Sequence, residues 1–220
     1  MQLAQQLEIL ERGGAFMAPI LLLSVVGLTV FFERLTYLRD ARILGPRPDV
    51  RRLRELIEAG DRGEIAIACE QLQTPLARVL TRGLAEVGGS KQDIREAMEG
   101  VGRAEVYLMK RRVGAISAIA TIAPFMGLLG TVVGMISMFQ GVVASAQVSS
   151  RPPSAGMLAD GIWVALLTTA AGLAVAIPLY LGHRFVVGRI GALVQTMEGF
   201  ARDFVDHVAK ATSESERMNR

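Results

Sequence analysis

Few side chains in the apolar stretches of this sequence could take part in chemistry, and most of them are hydroxyls. Thr131, Thr168 and Thr169 stand inside long apolar stretches, and the carboxylate of Asp160 stands just before one of them. A threonine in such a stretch usually donates its hydroxyl to a backbone carbonyl of the preceding turn. A carboxylate at the start of a helix is expected as an N-cap or as an interfacial charge. The other interpretation is an ion pathway, because an ionisable side chain within a membrane span is usually functional.

Other kinds of chemistry find no support in the residue types. Cys69 is the only cysteine, which excludes a disulfide within the chain and leaves a zinc cluster without a ligand set. His183 and His207 have no nucleophile or metal-ligand pattern beside them. The net charge of +3 comes from 24 basic and 21 acidic residues, a balance that does not suggest nucleic-acid binding. We therefore expect no enzyme activity, cofactor, metal or nucleic-acid partner.

Three stretches contain no Asp, Glu, Lys or Arg and are long enough to cross a membrane. They are residues 15–32, 113–150 and 161–182, and a spanning helix needs about 20 predominantly apolar residues. Pro152 and Pro153 between the second and third stretches cannot continue a helix. The sequence predicts an all-α membrane protein with spans at 15–33, 113–146 and 157–182, and a turn at 147–156 that makes a hairpin of the last two.

Basic residues near the ends of the spans predict the orientation of the chain. Arginines follow the first and third stretches, and Lys110, Arg111 and Arg112 precede the second. Since basic residues collect on the cytoplasmic side, we expect residues 34–112 and 183–220 in the cytoplasm. An amphipathic lead-in at 1–14 and the turn at 147–156 are then periplasmic.

The polar mass of the chain lies in the segment predicted to be cytoplasmic, and its pattern is helical. Thr74 followed by Pro75 predicts one helix start, and Ser90 with Asp93 resembles a capping box that predicts another. No strong stop signal follows Ser90 before the second span. We therefore expect one continuous helix from Ser90 to about Ala146, a rod of roughly 85 Å at 1.5 Å per residue. The tail from His183 should likewise continue the third span as a helix.

Small residues recur at steps of three and four along the second span, at Ala120, Ala123, Gly127, Gly130, Gly134, Ser137 and Gly141. A matching stripe on the third span comprises Gly161, Ala165, Thr168, Gly172 and Ala176. Small residues on one face let helix backbones approach closely in a membrane. The length of the first row favours association between copies of the chain. The alternative is packing against another span of the same chain.

Two of the stretches resemble a known family. Ala123-Pro-Phe-Met-Gly-Leu-Leu-Gly-Thr-Val-Val-Gly134 with Met138-Phe139, and Gly161-Ile-Trp-Val-Ala-Leu-Leu-Thr-Thr-Ala-Ala-Gly-Leu-Ala-Val-Ala-Ile-Pro178, are similar to the second and third spans of the MotA/TolQ/ExbB proton-channel family. The three-span layout resembles its ExbB/TolQ branch rather than four-span MotA. By this resemblance Thr131 and Thr169 match the polar, pore-facing threonines, with Thr168 beside them.

The resemblance also implies partners and a location. It implies a homo-oligomer in the bacterial inner membrane, a pentamer in the family. This oligomer would enclose the single spans of an ExbD/TolR-like partner that supplies a membrane aspartate. Proton flow would then drive mechanical work on the envelope through a TonB/TolA-like or motility effector, in outer-membrane uptake, envelope maintenance or gliding. H⁺ is the family default, and Na⁺ stays open.

One position departs from the family pattern. The third span of ExbB and TolQ usually carries a glutamate, and the matching position here is Val164. Valine cannot carry a proton, so three explanations stay open. The partner aspartate works alone, Asp160 one turn earlier acts as a substitute, or Val164 inactivates the protein. A non-conducting membrane scaffold is accordingly the alternative function.

Overall fold

The computed structural model of the chain describes residues 14–148 and 155–218. Within those residues the chain is helical, apart from short connections and one isolated bridge between Val87 and Gly89. The helices are α1 Met17–Tyr37, α2 Asp40–Ile43, α3 Arg47–Ala59, α4 Arg62–Leu72, α5 Pro75–Ala85, α6 Lys91–Lys110, α7 Val113–Val148 and α8 Ala155–Met218. Three stretches, in α1, α7 and α8, are long and apolar enough to cross a membrane. The predicted all-helical fold with three such spans is confirmed.

The chain divides into two compact units. The first, which we call the apolar unit, comprises the described residues up to Glu33 together with Arg112–Arg184. The second, the polar unit, comprises Arg34–Arg111 and the described residues from Phe185 onwards. The predicted boundaries of the spans, and the side of the membrane that each unit faces, stay predictions.

All three spanning stretches meet in the core of the apolar unit. Ile116, Ile119 and Ala120 of α7 pack with Leu179 of α8. Leu23, Val30 and Phe31 of α1 and Val175 of α8 surround them. Two glycines permit this approach, because a β-carbon on Gly27 would lie 2.5 Å from Leu179 and one on Gly182 would lie 2.9 Å from Phe31.

Local sequence signals explain how the helices of the polar unit begin. Thr74 accepts a hydrogen bond from the backbone of Ala77 at 3.2 Å, ahead of Pro75 at the first helical position. Ser90 and Asp93 form the reciprocal bonds of a capping box, so both predicted helix starts are confirmed. The apolar side chains that are buried in this unit include Leu53, Ile57, Ile65, Leu76, Leu80, Ile94, Phe200 and Phe204. Full burial of each such side chain contributes about 1.5–3 kcal/mol.

The expectation of one unbroken helix from Ser90 into the second span is wrong. Helix α6 ends at Lys110, and α7 begins at Val113. Between them Arg112 has φ +64°, a left-handed conformation that an α-helix cannot contain. The side chain of Arg112 donates to Glu33 at 2.6 Å, so the break coincides with an ion pair to α1. Gly100 and Gly102 lie within α6 and do not interrupt it.

The third span continues into the C-terminal region as predicted, because α8 is a single helix over Ala155–Met218. Pro178 lies inside this helix without ending it. The lead-in before Gly14 and the turn residues 149–154 lie outside the described residues, so the predictions for them stay untested.

Candidate functional site

The second and third spans cross at two glycines. A β-carbon on Gly172 of α8 would lie 2.6 Å from the carbonyl oxygen of Ala123, and 3.2 Å from the Cα of Gly127. A β-carbon on Gly127 would in turn lie 2.8 Å from the carbonyl oxygen of Thr168. Real β-carbons essentially never lie within 3.0 Å of such an atom, whereas those on Gly172 and Gly127 would lie that close to the carbonyl oxygens. The crossing therefore depends on glycine at both positions.

Thr168 is enclosed in this crossing. Its side chain is only 1% exposed, and its hydroxyl donates to the carbonyl of Ala165 at 2.9 Å. The Oγ1 of Thr168 lies 2.7 Å from the place where a β-carbon on Gly130 would be. Thr168, which the sequence placed with the pore-lining residues, is thus positioned by contacts between two helices of one chain.

Thr169 and Thr131 have different surroundings. The hydroxyl of Thr169 donates across the helix pair to the carbonyl of Gly127 at 3.3 Å. The hydroxyl of Thr131 donates within its own helix to the carbonyl of Leu128 at 2.6 Å, and its side chain is partly exposed. Thr169 therefore ties the two spans together, while Thr131 keeps an accessible oxygen.

The remaining glycines of the predicted packing row are less tightly held. A β-carbon on Gly134 would meet Ala165 at 3.7 Å, which is an ordinary contact, and Gly141 is partly exposed on α7. In contrast, a β-carbon on Gly161 would lie 2.7 Å from the flexible side chain of Met138. Gly127, Gly130 and Gly172 thus make close contacts within the chain, while association between copies stays a prediction.

Val164 and Asp160 lie one turn apart on α8. Val164 is partly buried, with its Cγ1 3.6 Å from the position of a β-carbon on Gly14. Asp160 is exposed. Because α8 begins at Ala155, Asp160 lies in the second turn, and the interpretation of this carboxylate as an N-cap is wrong. At 100° per residue, Val164 lies about 40° from Thr168 and about 140° from Thr169 around the helix.

Two further hydroxyls of α7 were not identified from the sequence as candidate site residues. Ser117 is partly exposed and Thr121 is exposed, and the hydroxyl of Thr121 donates to the carbonyl of Ser117 at 3.0 Å. The signal that could have found them is their spacing, since at 100° per residue Ser117 lies about 40° from Thr121 and Thr131 lies about 80° from Thr121.

Among the described residues, no group of three His, Cys, Asp or Glu side chains is arranged to hold a metal ion. In the apolar unit Arg112, just before α7, pairs with Glu33 at 2.6 Å. The polar side-chain groups described above for the hairpin of α7 and α8 are hydroxyl oxygens and the exposed carboxylate of Asp160.

Comparison with known proteins gives this hairpin a context. Residues 71–199 match the family model of the MotA/TolQ/ExbB proton channel family. The chain is similar to a biopolymer transport protein ExbB homolog of Methanothermobacter thermautotrophicus, with 30% identity over 96% of this chain and 78% of the relative. It is similar to ExbB-like protein 1 of Synechocystis, with 35% identity over 80% of this chain and 68% of that one. It is also similar to the biopolymer transport protein exbB1 of Vibrio cholerae, with 30% identity over 84% and 80% of the two chains.

Proposed function

Because the chain belongs to the MotA/TolQ/ExbB proton channel family, we propose that it is the channel subunit of an ion-driven membrane motor. In this proposal several copies, five by analogy with the family, surround the single spans of a pair of ExbD/TolR-like partners. The partner supplies a membrane aspartate, and proton flow past it is converted into mechanical work on the cell envelope. The assembly lies in the inner membrane of a bacterium, with the N-terminus periplasmic and the C-terminus cytoplasmic.

The observation that carries the proposal is the extent of the family match. It runs through all of the described part of α7 and through α8 as far as Gly199. These two helices hold Thr131, Thr168 and Thr169, and their crossing at Gly127 and Gly172 fixes the rotation of each helix about its axis. A motor channel needs such fixed walls, because a neighbouring span must move against them without opening a leak.

We assign the titrating carboxylate to the partner rather than to this chain. Val164 stands where the ExbB and TolQ branch has a glutamate, and it lies against Gly14 of the segment that leads into α1. Asp160 is exposed one turn farther out on α8. Its place in the second turn of the helix suits an interfacial carboxylate, so proton transfer in this proposal does not require it.

The test reconstitutes the chain with its partner in vesicles that contain a pH-sensitive dye, and measures proton flux under an imposed potential. We expect flux from the parent chain, and unchanged flux from Asp160→Asn. Loss of flux in Asp160→Asn would instead make Asp160 the substitute carrier. No flux from the parent, with recovery in Val164→Glu, would mean that Val164 inactivates this chain.

A second candidate function is a non-conducting scaffold, and the valine at position 164 is the specific observation that favours it. A scaffold would assemble with the partner yet show no flux in the parent, in Asp160→Asn or in Val164→Glu.

A further measurement identifies the carried ion. Replacing Na⁺ by K⁺ on both sides of the vesicle distinguishes H⁺ from Na⁺, since a proton channel keeps its flux under this exchange.

A further inference from the structure

One face of α7 carries a row of three hydroxyls, of which the proposed function uses only Thr131. At 100° per residue, Ser117, Thr121 and Thr131 fall within about 80° of one another around the helix. Thr121 is exposed, and the other two are partly exposed. The glycine face of α7, which includes Gly127 and Gly130, is instead buried against α8.

The hydrogen bonds of these hydroxyls determine what they can bind. Thr121 donates its hydrogen to the carbonyl of Ser117, and Thr131 donates to the carbonyl of Leu128. A hydroxyl whose hydrogen is already donated offers only its lone pairs to a further partner. Pro124 lies on the same face and has no N–H, so the carbonyl of Ala120 lacks its usual helical donor. The hydroxyl oxygens are thus acceptors on a face that also carries the exposed side chains of Leu128 and Met135. An acceptor oxygen suits water, hydronium or another cation.

Helix α1 provides a contrast within the same unit. Its exposed face is made of Leu21, Leu22, Val25, Val26, Leu28 and Phe32, as expected for contact with lipid tails. Thr29 is exposed among them and donates to the carbonyl of Val25 at 2.7 Å. The local chemistry of Thr29 and Thr121 is the same, and both have exposed apolar neighbours. The difference is that Thr121 shares its face with Ser117 and Thr131. Acceptor oxygens that faced lipid tails would find no hydrogen-bond donor. The hydroxyl-bearing face of α7 therefore suits polar surroundings.

We propose that the face formed by Ser117, Thr121 and Thr131 lines a hydrated cation path, which leads from Thr131 towards the Arg112 end of α7. This inference rests on the proposed function, since only an assembly of several chains encloses the path. Water and hydronium pass along the acceptor oxygens, and no bond of the protein is made or broken. Ser117 and Thr121 are then residues that conduct the ion beyond the threonines of the family signature.

Cysteine accessibility tests the path without measuring transport. The thiolate is the reactive species and forms only in water. In membranes from cells expressing the assembled chain with Cys69→Ser, a charged, membrane-impermeant methanethiosulfonate reagent is applied from the side of Arg112. Thr121→Cys is compared with Thr29→Cys, and full labelling of both in detergent and denaturant confirms that both thiols are intact.

Depth along the helices makes Thr29 a strict control. Glu33 and Arg112 form one ion pair, from which Thr29 is four residues and Thr121 nine residues distant. At 1.5 Å per residue these separations are about 6 and 13 Å. A lipid-facing α7 would therefore label more slowly at Thr121 than at Thr29. We expect the reverse, with Thr121→Cys reacting at least about tenfold faster because it is in contact with water. Equal rates, or a faster Thr29→Cys, would overturn the proposal.

Flux measurements separate this inference from the proposed function. In the reconstituted complex, Thr121→Val removes the acceptor oxygen at nearly constant volume, and Thr29→Val does the same in α1. We expect Thr121→Val to lower proton flux about tenfold, in keeping with the loss of one polar contact in a narrow path, and Thr29→Val to leave it unchanged. Parent flux with equal flux in both variants overturns the path. A parent without flux contradicts the proposed function, and the labelling rates then decide alone whether the path exists.

If Thr121→Cys does not assemble, Ser117→Cys takes its place in the labelling comparison.

Discussion

The oxygen of Thr168 occupies the space that a side chain on Gly130 would need. Thr168 Oγ1 lies 2.7 Å, and its Cβ 2.8 Å, from the position of a β-carbon built on Gly130. The second glycine of the same Gly-x-x-x-Gly pair, Gly134, is different, since a β-carbon there would lie 3.7 Å from Ala165. Packing of α7 against α8 within the chain therefore requires glycine at position 130 but not at position 134.

Gly130→Ala should therefore destabilise the hairpin while Gly134→Ala leaves it nearly unchanged. Thr168 is 1% exposed and has no room to move aside, and overpacking of this kind costs about 1–3 kcal/mol. The measurement is the thermal unfolding midpoint of the chain in a mild detergent. Equal midpoints for the two alanine variants would contradict the helix crossing described here.

The same contrast changes how an assembly experiment is interpreted. A bulky residue at Gly130 would separate α7 from α8 within one chain, so loss of the oligomer would not identify an interface between copies. Gly134→Leu is the cleaner probe, because its nearest neighbour has ordinary contact distance.

The spacing of small residues could predict that one face of α7 is closely packed. It could not predict which helix packs against that face. The steps that Gly127, Gly130 and Gly172 follow suit association between copies as well as packing within one chain, and the length of the row favoured the former. Only the three-dimensional pairing of α7 with α8 shows which surface approaches them. For the same reason the sequence could not show that Thr168 is enclosed while Thr131 keeps an accessible oxygen.

In the polar unit, we predict that the ion pair between Arg78 and Glu105 is a specific support of the fold. Arg78 donates to both carboxylate oxygens of Glu105, at 2.6 and 2.9 Å, and also to the carbonyl of Gln73 at 3.1 Å. These bonds with Glu105 raise the pKa of the Arg78 guanidinium above its ordinary value. Glu105 is only 6% exposed, so removing its partner leaves a buried carboxylate. Arg78→Ala should cost about 1–3 kcal/mol of unfolding free energy, with solvent access to Arg78 moderating the loss.

The matched control is the pair of Arg82 and Glu86, which lie on the surface at 2.7 Å with one helical turn between them. Breaking an exposed pair of this type costs about 0.3–0.5 kcal/mol. Chemical denaturation of the full chain in detergent measures both. If Arg82→Ala and Arg78→Ala had the same effect, the pair with Glu105 would be no stronger than a surface contact.

The single cysteine should react with thiol reagents only slowly, and faster at high pH. Cys69 is 3% exposed, and burial raises the pKa of its thiol to about 11 against a smaller opposing effect of a hydrogen bond with Thr81. Since the thiolate is the nucleophile, the labelling rate should increase steadily as the pH rises from 7 towards 11. A rate that levels off near pH 9 would show a normal thiol, exposed by local opening.

Helix starts were predictable because they depend on a few neighbouring residues. Thr74 with Pro75, and Ser90 with Asp93, carry the whole signal within four positions. The break at Arg111 and Arg112 has no such signal, because neither glycine nor proline stands there. Its visible partner is Glu33, which is distant in sequence, so local patterns favoured an unbroken helix.

The break between α6 and α7 can be tested by comparing the stabilities of Arg112→Gly and Arg112→Ala. In a continuous helix, Arg112→Gly would be about 1 kcal/mol less stable than Arg112→Ala, because glycine is the poorer helix former. At φ +64° the order should reverse, since a left-handed conformation costs a residue with a side chain about 1–2 kcal/mol and costs glycine nothing. Both variants lose the ion pair with Glu33, so that loss cancels in the comparison. We expect Arg112→Gly to have the higher unfolding midpoint in detergent, and a lower midpoint would mean that α6 and α7 form one helix.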